Sequence, residues 1–225
     1  FVRTGSGRAH SVGFSQDSRW LVAAMGEAGL WLFDVTQGRL LGPRLASPGS
    51  CPSCPSPALY AATMSPDGTE IAATGQGGQI YLWQTRDFAS SAVAPRTIAT
   101  TARALYSLDF APDGSTLAAG TGDGQVIRVA LRKAESATSS LVDGSSQIVA
   151  AVAFEPGTGK RLAVAENGGS GGSVSIFDAA SGQRRLGPLV GGHGYVSSLA
   201  WSPSGHLLVA ASEDRRVLMW DADSG

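Results

Sequence analysis

Residues 195–225 read YVSSLAWSPSGHLLVAASEDRRVLMWDADSG. A short apolar strand closes on Trp201, a Ser/Pro/Gly turn follows, a second apolar strand runs over 207–211, and a polar turn leads to a strand ending on Trp220. Short apolar runs bounded by Gly, Pro, Ser and Asp read as antiparallel strands joined by tight turns. The same order recurs upstream. Residues 11–38 read SVGFSQDSRWLVAAMGEAGLWLFDVTQG, and residues 58–84 read ALYAATMSPDGTEIAATGQGGQIYLWQ. Residues 104–130 read ALYSLDFAPDGSTLAAGTGDGQVIRVA, and residues 148–182 read IVAAVAFEPGTGKRLAVAENGGSGGSVSIFDAASG.

The large residue closing each first strand pins the register: Phe14, Met64, Phe110, Phe154 and Trp201, at spacings of 50, 46, 44 and 47. That is the period of a four-stranded propeller blade. Asp67 and Asp113, each followed by Gly, mark tight turns after those strands; Asp17 stands there without the Gly, and Ser204 with Gly205 stands there without the Asp. Val12, Leu108, Val152 and Leu199 lie two residues before the pinned position and share its face. The second strands (21–24, 71–73, 117–119, 162–165, 207–211) are apolar and rich in small residues, as suits burial on both faces. One blade cannot bury such a face alone, so the blades must stack. The expected fold is all-β, one domain over 1–225, in repeat units of about 1–38, 39–86, 87–132, 133–182 and 183–225.

The pattern resembles the WD40-repeat β-propeller family over the whole chain, most sharply in the fifth unit. There Gly192 and His193 precede the first strand, Ser212 and Asp214 flank the second turn, and Trp220 followed by Asp221 ends the third strand. The resemblance implies a hydrogen-bonded tetrad of His193, Ser212, Asp214 and Trp220 that clamps the blade. The other units depart from it. Unit one has Glu27 and Phe33 with Asp34, unit two keeps Trp83 but follows it with Gln84, unit three keeps Asp123 but has Val129 for the Trp, and unit four has Phe177 with Asp178. The family usually closes with seven blades, so five visible units are either a complete small ring or five of seven. Residues 1–4 could supply an outer strand to the last blade.

Composition narrows the function. Apolar residues make up 43% of the 225 and charged residues 16%, enough for a core and too little charge for a disordered chain. Lys+Arg is 17 against 18 Asp+Glu, a formal net charge of −1, which argues against an electrostatic nucleic-acid or membrane binder. No apolar run approaches a membrane helix, and no signal peptide is visible, so a cytoplasmic location is expected. The chain opens on Phe1 rather than Met, which reads as a piece of a larger multidomain chain. Only Lys133 and Lys160 are lysine; abundant Arg, Ala and Gly hint at a GC-rich bacterial genome.

Catalytic motifs are absent from the sequence: no nucleophile elbow, zincin helix, P-loop or dinucleotide fingerprint. No cofactor or metal is implied. The glycine-rich stretch at 168–173 reads as a hairpin tip. Cys51 and Cys54 form a lone C-x-x-C among prolines, too few thiols for a closed zinc site, and read as a dispensable loop pair. His10, His193 and His206 do not suggest a cluster, and the five tryptophans read as packing at blade interfaces.

Aromatic residues gather at the starts of the first strands. Tyr60, Tyr106 and His10 lie four residues before the pinned position, and Tyr195 lies six before. They are either anchors for a partner or strand-end packing. The resemblance places these positions on the top face, together with Arg8, Glu213 and two long irregular stretches, 47–57 and 166–173. The expected function is a non-catalytic interaction scaffold or sensor module that binds a protein or peptide there, with Tyr60, Tyr106, Tyr195, His10, Arg8 and Glu213 as contacts. The alternative is a propeller hydrolase or lyase with a central-channel site, for which only Asp109 and His10 qualify.

Overall fold

The computed structural model describes residues 8–45, 58–89, 95–131, 137–142, 147–169, 171–189 and 193–225. They form five antiparallel sheets. The first holds β1 (Ser11–Phe14), β2 (Trp20–Ala24), β3 (Leu30–Asp34) and β4 (Arg39–Leu45); the second holds β5 (Leu59–Met64), β6 (Glu70–Gly75), β7 (Gln79–Gln84) and β8 (Arg96–Thr100). The third is β9 (Leu105–Phe110), β10 (Thr116–Thr121), β11 (Val126–Ala130) and β12 (Ala137–Val142). The fourth is β13 (Ile148–Phe154), β14 (Arg161–Gly168), β15 (Gly171–Asp178) and β16 (Arg184–Leu189); the fifth is β17 (Val196–Trp201), β18 (Leu207–Ser212) and β19 (Arg216–Asp221). Within each sheet, strands adjacent in the chain are adjacent and antiparallel. Two compact units group these sheets: Phe1–Leu105, with the first two, and Tyr106–Gly225, with the other three.

β4 pairs with β3, Leu41 opposite Leu32 and Leu40 opposite Phe33. The repeat read from the sequence and the sheet are therefore offset by one strand: the segment heading repeat two is the outer strand of sheet one. The short turn after Asp34 brings β4 back beside β3 before the chain can reach anything else.

The turns follow from local chemistry. The Ser65 hydroxyl donates to Asp67 (2.6 Å), the Thr69 N–H donates to the same oxygen (3.0 Å), and Gly68 takes the left-handed φ of 69° that the turn needs. In sheet one Ser18 must adopt that conformation without being glycine, at φ 58°. The aspartates that close third strands act similarly. Asp34, Asp178 and Asp221 each accept backbone N–H groups two and three residues on, capping the turn that follows.

Sheets stack through apolar faces. In the first unit Val22, Leu30 and Leu32 of sheet one pack with Met64, Ile71 and Trp83 of sheet two. In the second unit Ala118 and Val126 of sheet three meet Leu162, Val164 and Phe177 of sheet four. Ala163, Ala165, Val174 and Ile176 of sheet four meet Leu208, Ala210, Leu218 and Trp220 of sheet five. The second strands of sheets two to four are buried on both faces, as their sequence predicts. β18 is the exception: Leu207 and Ala211 are exposed.

Candidate protein-interaction face

Each first strand runs from a leading end to a turn at its trailing end. In the first unit the leading end brings together His10, the β2–β3 turn and the start of β5. The His10 N–H donates to the Ala24 carbonyl (2.9 Å), and the Leu59 N–H donates to the Gly26 carbonyl (3.1 Å). A Cβ on Gly26 would stand 3.2 Å from His10 Nε2, and Gly26 itself is left-handed at φ 58°, so glycine lets the turn lie against the imidazole. The His10 and Tyr60 rings sit 5.4 Å apart, tilted by 52°. His10 and Arg8 are exposed and Tyr60 is half-buried.

The second unit repeats this geometry. The Glu213 N–H, in the β18–β19 turn, donates to the Tyr195 carbonyl (2.9 Å), just before β17. The Asn167 side chain exchanges two hydrogen bonds of 2.8 Å with the backbone of Val196. Within each unit, then, second-to-third-strand turns lie beside first-strand starts, as the sequence reading expects. Tyr106 on β9, Tyr195 and Glu213 are all exposed.

Residues 166–168 and 171–173 correct one expectation. They are not irregular but the paired end of a regular hairpin: Glu166 pairs with Ser173, Asn167 with Gly172 and Gly168 with Gly171. A Cβ on Gly172 would fall 2.7 Å from the Val196 N, so the glycines serve close backbone approach rather than looseness. The other long stretch, 47–57 with Cys51 and Cys54, and residues 1–4 lie outside the described residues.

Three of the four tetrad positions, His193, Ser212 and Asp214, sit at this leading end, whereas Trp220 lies near the trailing end, opposite Leu208. Ser212 is buried, Asp214 is partly buried in the β18–β19 turn, Trp220 packs into the apolar cluster against sheet four, and His193 is exposed. The Ser212 hydroxyl, first, and the Arg216 charge hold the Asp214 carboxyl below its ordinary range. The contact stops short of hydrogen-bond geometry, since Ser212 Oγ and Asp214 Oδ1 are both buried without a partner. Sheet three carries a better-formed pair at the matching turn, where the Thr121 hydroxyl donates to Asp123 (2.6 Å).

Two features escaped the sequence reading. Arg161 Nη2 donates to Glu155 and to the Gly205 carbonyl, and Nη1 donates to Asp223, all at 2.7 Å, while its guanidinium lies 5.1 Å from the Trp201 ring centre. It ties the trailing ends of sheets four and five together. Between the trailing ends of sheets three and four lies a cavity of about 260 Å³ that includes Asp113, Arg128, Lys160 and Asp178 in its wall. Sequence distance hid both, because their members come from different repeats. Asp109, by contrast, was singled out. Its Oδ2 accepts the Phe154 N–H (2.8 Å), joining β9 to β13, and enclosure of its carboxyl raises the pKa to about 7. Among the described residues no group of three or more His, Cys, Asp or Glu side chains could hold a metal ion, and no helix is long and apolar enough to cross a membrane.

Residues 96–127 and 186–221 match the WD40 family, described as "WD domain, G-beta repeat". Two stretches of the chain thus match the WD40 repeat. The matched stretches start on outer strands β8 and β16, so the WD40 unit shows the same one-strand offset from the sheet. The chain is also similar to a transcriptional corepressor of Arabidopsis thaliana, LEUNIG_HOMOLOG, at 39% identity over 74 residues; the match covers 33% of this chain and only 9% of the corepressor. The structure superposes on the crystal structure of the Myceliophteria thermophila Cps50 (Swd1) β-propeller domain with a TM-score of 0.74 at 18% identity, over 98% of this chain and 67% of that one. The fold is therefore a β-propeller of small antiparallel blades. The bacterial expectation finds no support, the curated relative being a plant protein.

Proposed function

We propose that this chain is a non-catalytic scaffold that binds a protein or peptide partner at the leading ends of its blades. The observation that carries this reading is the His10–Tyr60 ring pair, set where β1, β5 and the β2–β3 turn converge in the first unit. An aromatic pair with an exposed partner supplies contact area at low entropic cost. The second unit offers exposed Tyr106, Tyr195 and Glu213 in the corresponding place. The WD40 matches and the corepressor relative favour a protein partner. The alternative of a channel enzyme has less support: Asp109 is engaged by a backbone N–H, and His10 belongs to the other unit.

The test is capture of a partner from a lysate by immobilised protein. Tyr60→Ala and Tyr106→Ala, separately and together, should weaken capture with far-UV circular dichroism unchanged. Arg86→Glu and Lys160→Glu, exposed residues near the trailing ends of the two units, should not. Capture lost only in the second pair would move the site to the trailing end.

A further inference from the structure

The cavity of about 260 Å³ between the trailing ends of sheets three and four lies wholly within the second unit. The β9–β10, β13–β14 and β15–β16 turns wall it, and backbone contacts fix them against one another. The Ala179 N–H donates to the Lys160 carbonyl (2.9 Å). Gly159, left-handed at φ 61°, lies so close to Pro112 that a Cβ would fall 2.8 Å from the proline Cδ. Arg128 reaches across from β11, its Nη1 donating to the carbonyls of Ala179 (3.1 Å) and Ala180 (3.0 Å). These ties make a preformed pocket of the kind that small ligands use.

The charges in its wall are unevenly matched. The Asp178 carboxyl accepts the Ser181 N–H, pairs with Arg185 and accepts the Ala180 N–H, and these hold it far below the ordinary carboxylate range. Asp113 accepts the Ser115 N–H (2.9 Å) and hydroxyl (2.7 Å). The two cations have no such complement. Among the described residues Arg128 meets only neutral carbonyls, through Nη1 alone, and the exposed Lys160 makes no ion pair. Beside them the wall is apolar, with buried Ala111, Phe154 and Ala179.

We infer that this cavity binds a small organic monocarboxylate, its carboxylate held by Arg128 and Lys160 and its hydrocarbon part set against Phe154 and the alanines. A guanidinium fixed at one nitrogen still offers Nε and Nη2, the edge whose two N–H groups match the two oxygens of a carboxylate. Asp113 and Asp178 limit the charge of the ligand, because they oppose a dianion such as phosphate more strongly than a single negative charge. The volume limits its size, lying just under the ~300–1,000 Å³ of pockets for drug-sized ligands. This inference is independent of the partner proposed for the leading end, because it uses only the trailing ends of two blades.

Benzoate is the probe, titrated at constant ionic strength while amide shifts are followed by heteronuclear NMR; benzamide and inorganic phosphate are the comparators. Benzoate should shift amides of the three turns saturably, with a Kd on the order of 1 mM, as befits so small a ligand. Benzamide, which keeps the shape and lacks the charge, and phosphate, which lacks the apolar part, should each bind at least about tenfold more weakly. Lys160→Gln, at an exposed site, should lose about tenfold in benzoate affinity with its thermal melt near that of the parent. Arg128→Gln, which keeps an N–H donor for the carbonyls, should lose at least as much; if it fails to fold, Lys160→Gln decides alone. Absence of saturable shifts at the three turns, benzamide or phosphate binding as tightly as benzoate, or undiminished benzoate binding by Lys160→Gln would each overturn the inference.

Discussion

Replacing Asp109 with Asn should change the pH dependence of stability in a defined window. The Asp109 carboxyl is enclosed between β9 and β13, and its pKa rises from 3.8 to about 7 chiefly because burial disfavours the charged form; N–H groups of Phe154 and Phe110 oppose that only in part. A folded pKa above the unfolded one means that the folded state holds a proton which the unfolded state releases. The associated stability is complete below pH 3.8, drains away as pH rises towards 7, and is gone above it. At about 1.4 kcal/mol per pH unit, the span from 3.8 to about 7 amounts to roughly 4 kcal/mol. That is a large share of the ~5–15 kcal/mol a domain has in all. Asn keeps a carbonyl oxygen for the Phe154 N–H and cannot ionise. Asp109→Asn should therefore match the parent near pH 4 and exceed it by up to about 4 kcal/mol at pH 8. Urea melts at pH 4.5, 6 and 8 measure the difference. The aspartates whose pKa values are lowered, such as Asp17, Asp67 and Asp221, lose their contribution only as pH falls below the ordinary carboxylate range, and they cancel between the two proteins. A constant difference between the two proteins across pH 4.5–8 would refute the reasoning.

Ser18 and Arg215 hold left-handed backbones at φ 58° and 68°, a conformation that costs a side-chain-bearing residue about 1 kcal/mol. Ser18→Gly and Arg215→Gly should each raise stability by about 0.5–1 kcal/mol in denaturant melts. Trp83 is 2% exposed, so Trp83→Ala should cost about 3–5 kcal/mol, and Trp220→Ala less because Trp220 is only partly buried. Gly75→Ala should lower the melting midpoint, since its Cβ would fall 2.0 Å from the Ala58 carbonyl oxygen; the backbone would have to move at a cost of about 1–3 kcal/mol.

Much of the architecture was legible along the chain because it is local. The alternation in VSSLAW, the SPDG turn after Met64 and the aspartate after Phe33, Phe177 and Trp220 each specify strand, turn and cap within about five residues. A pattern repeated at 44–50 residues then specifies stacked sheets, because no single sheet buries its own faces. What the sequence could not supply is which neighbour each face and each polar atom meets. LLVAA in the fifth repeat reads as buried as LAVA in the fourth, yet Leu207 and Ala211 are exposed, because a strand's own composition does not set its burial. The glycine-rich stretch reads as a loose tip, but Asn167 pairs with Gly172 and Gly168 with Gly171, and glycine at 172 lets the start of β17 come within touching distance. Arg161 looks like any surface cation until folding brings Glu155, Gly205 and Asp223 around it. Local chemistry chose the strands and turns; long-range packing chose which of their surfaces became core, lock or solvent-exposed.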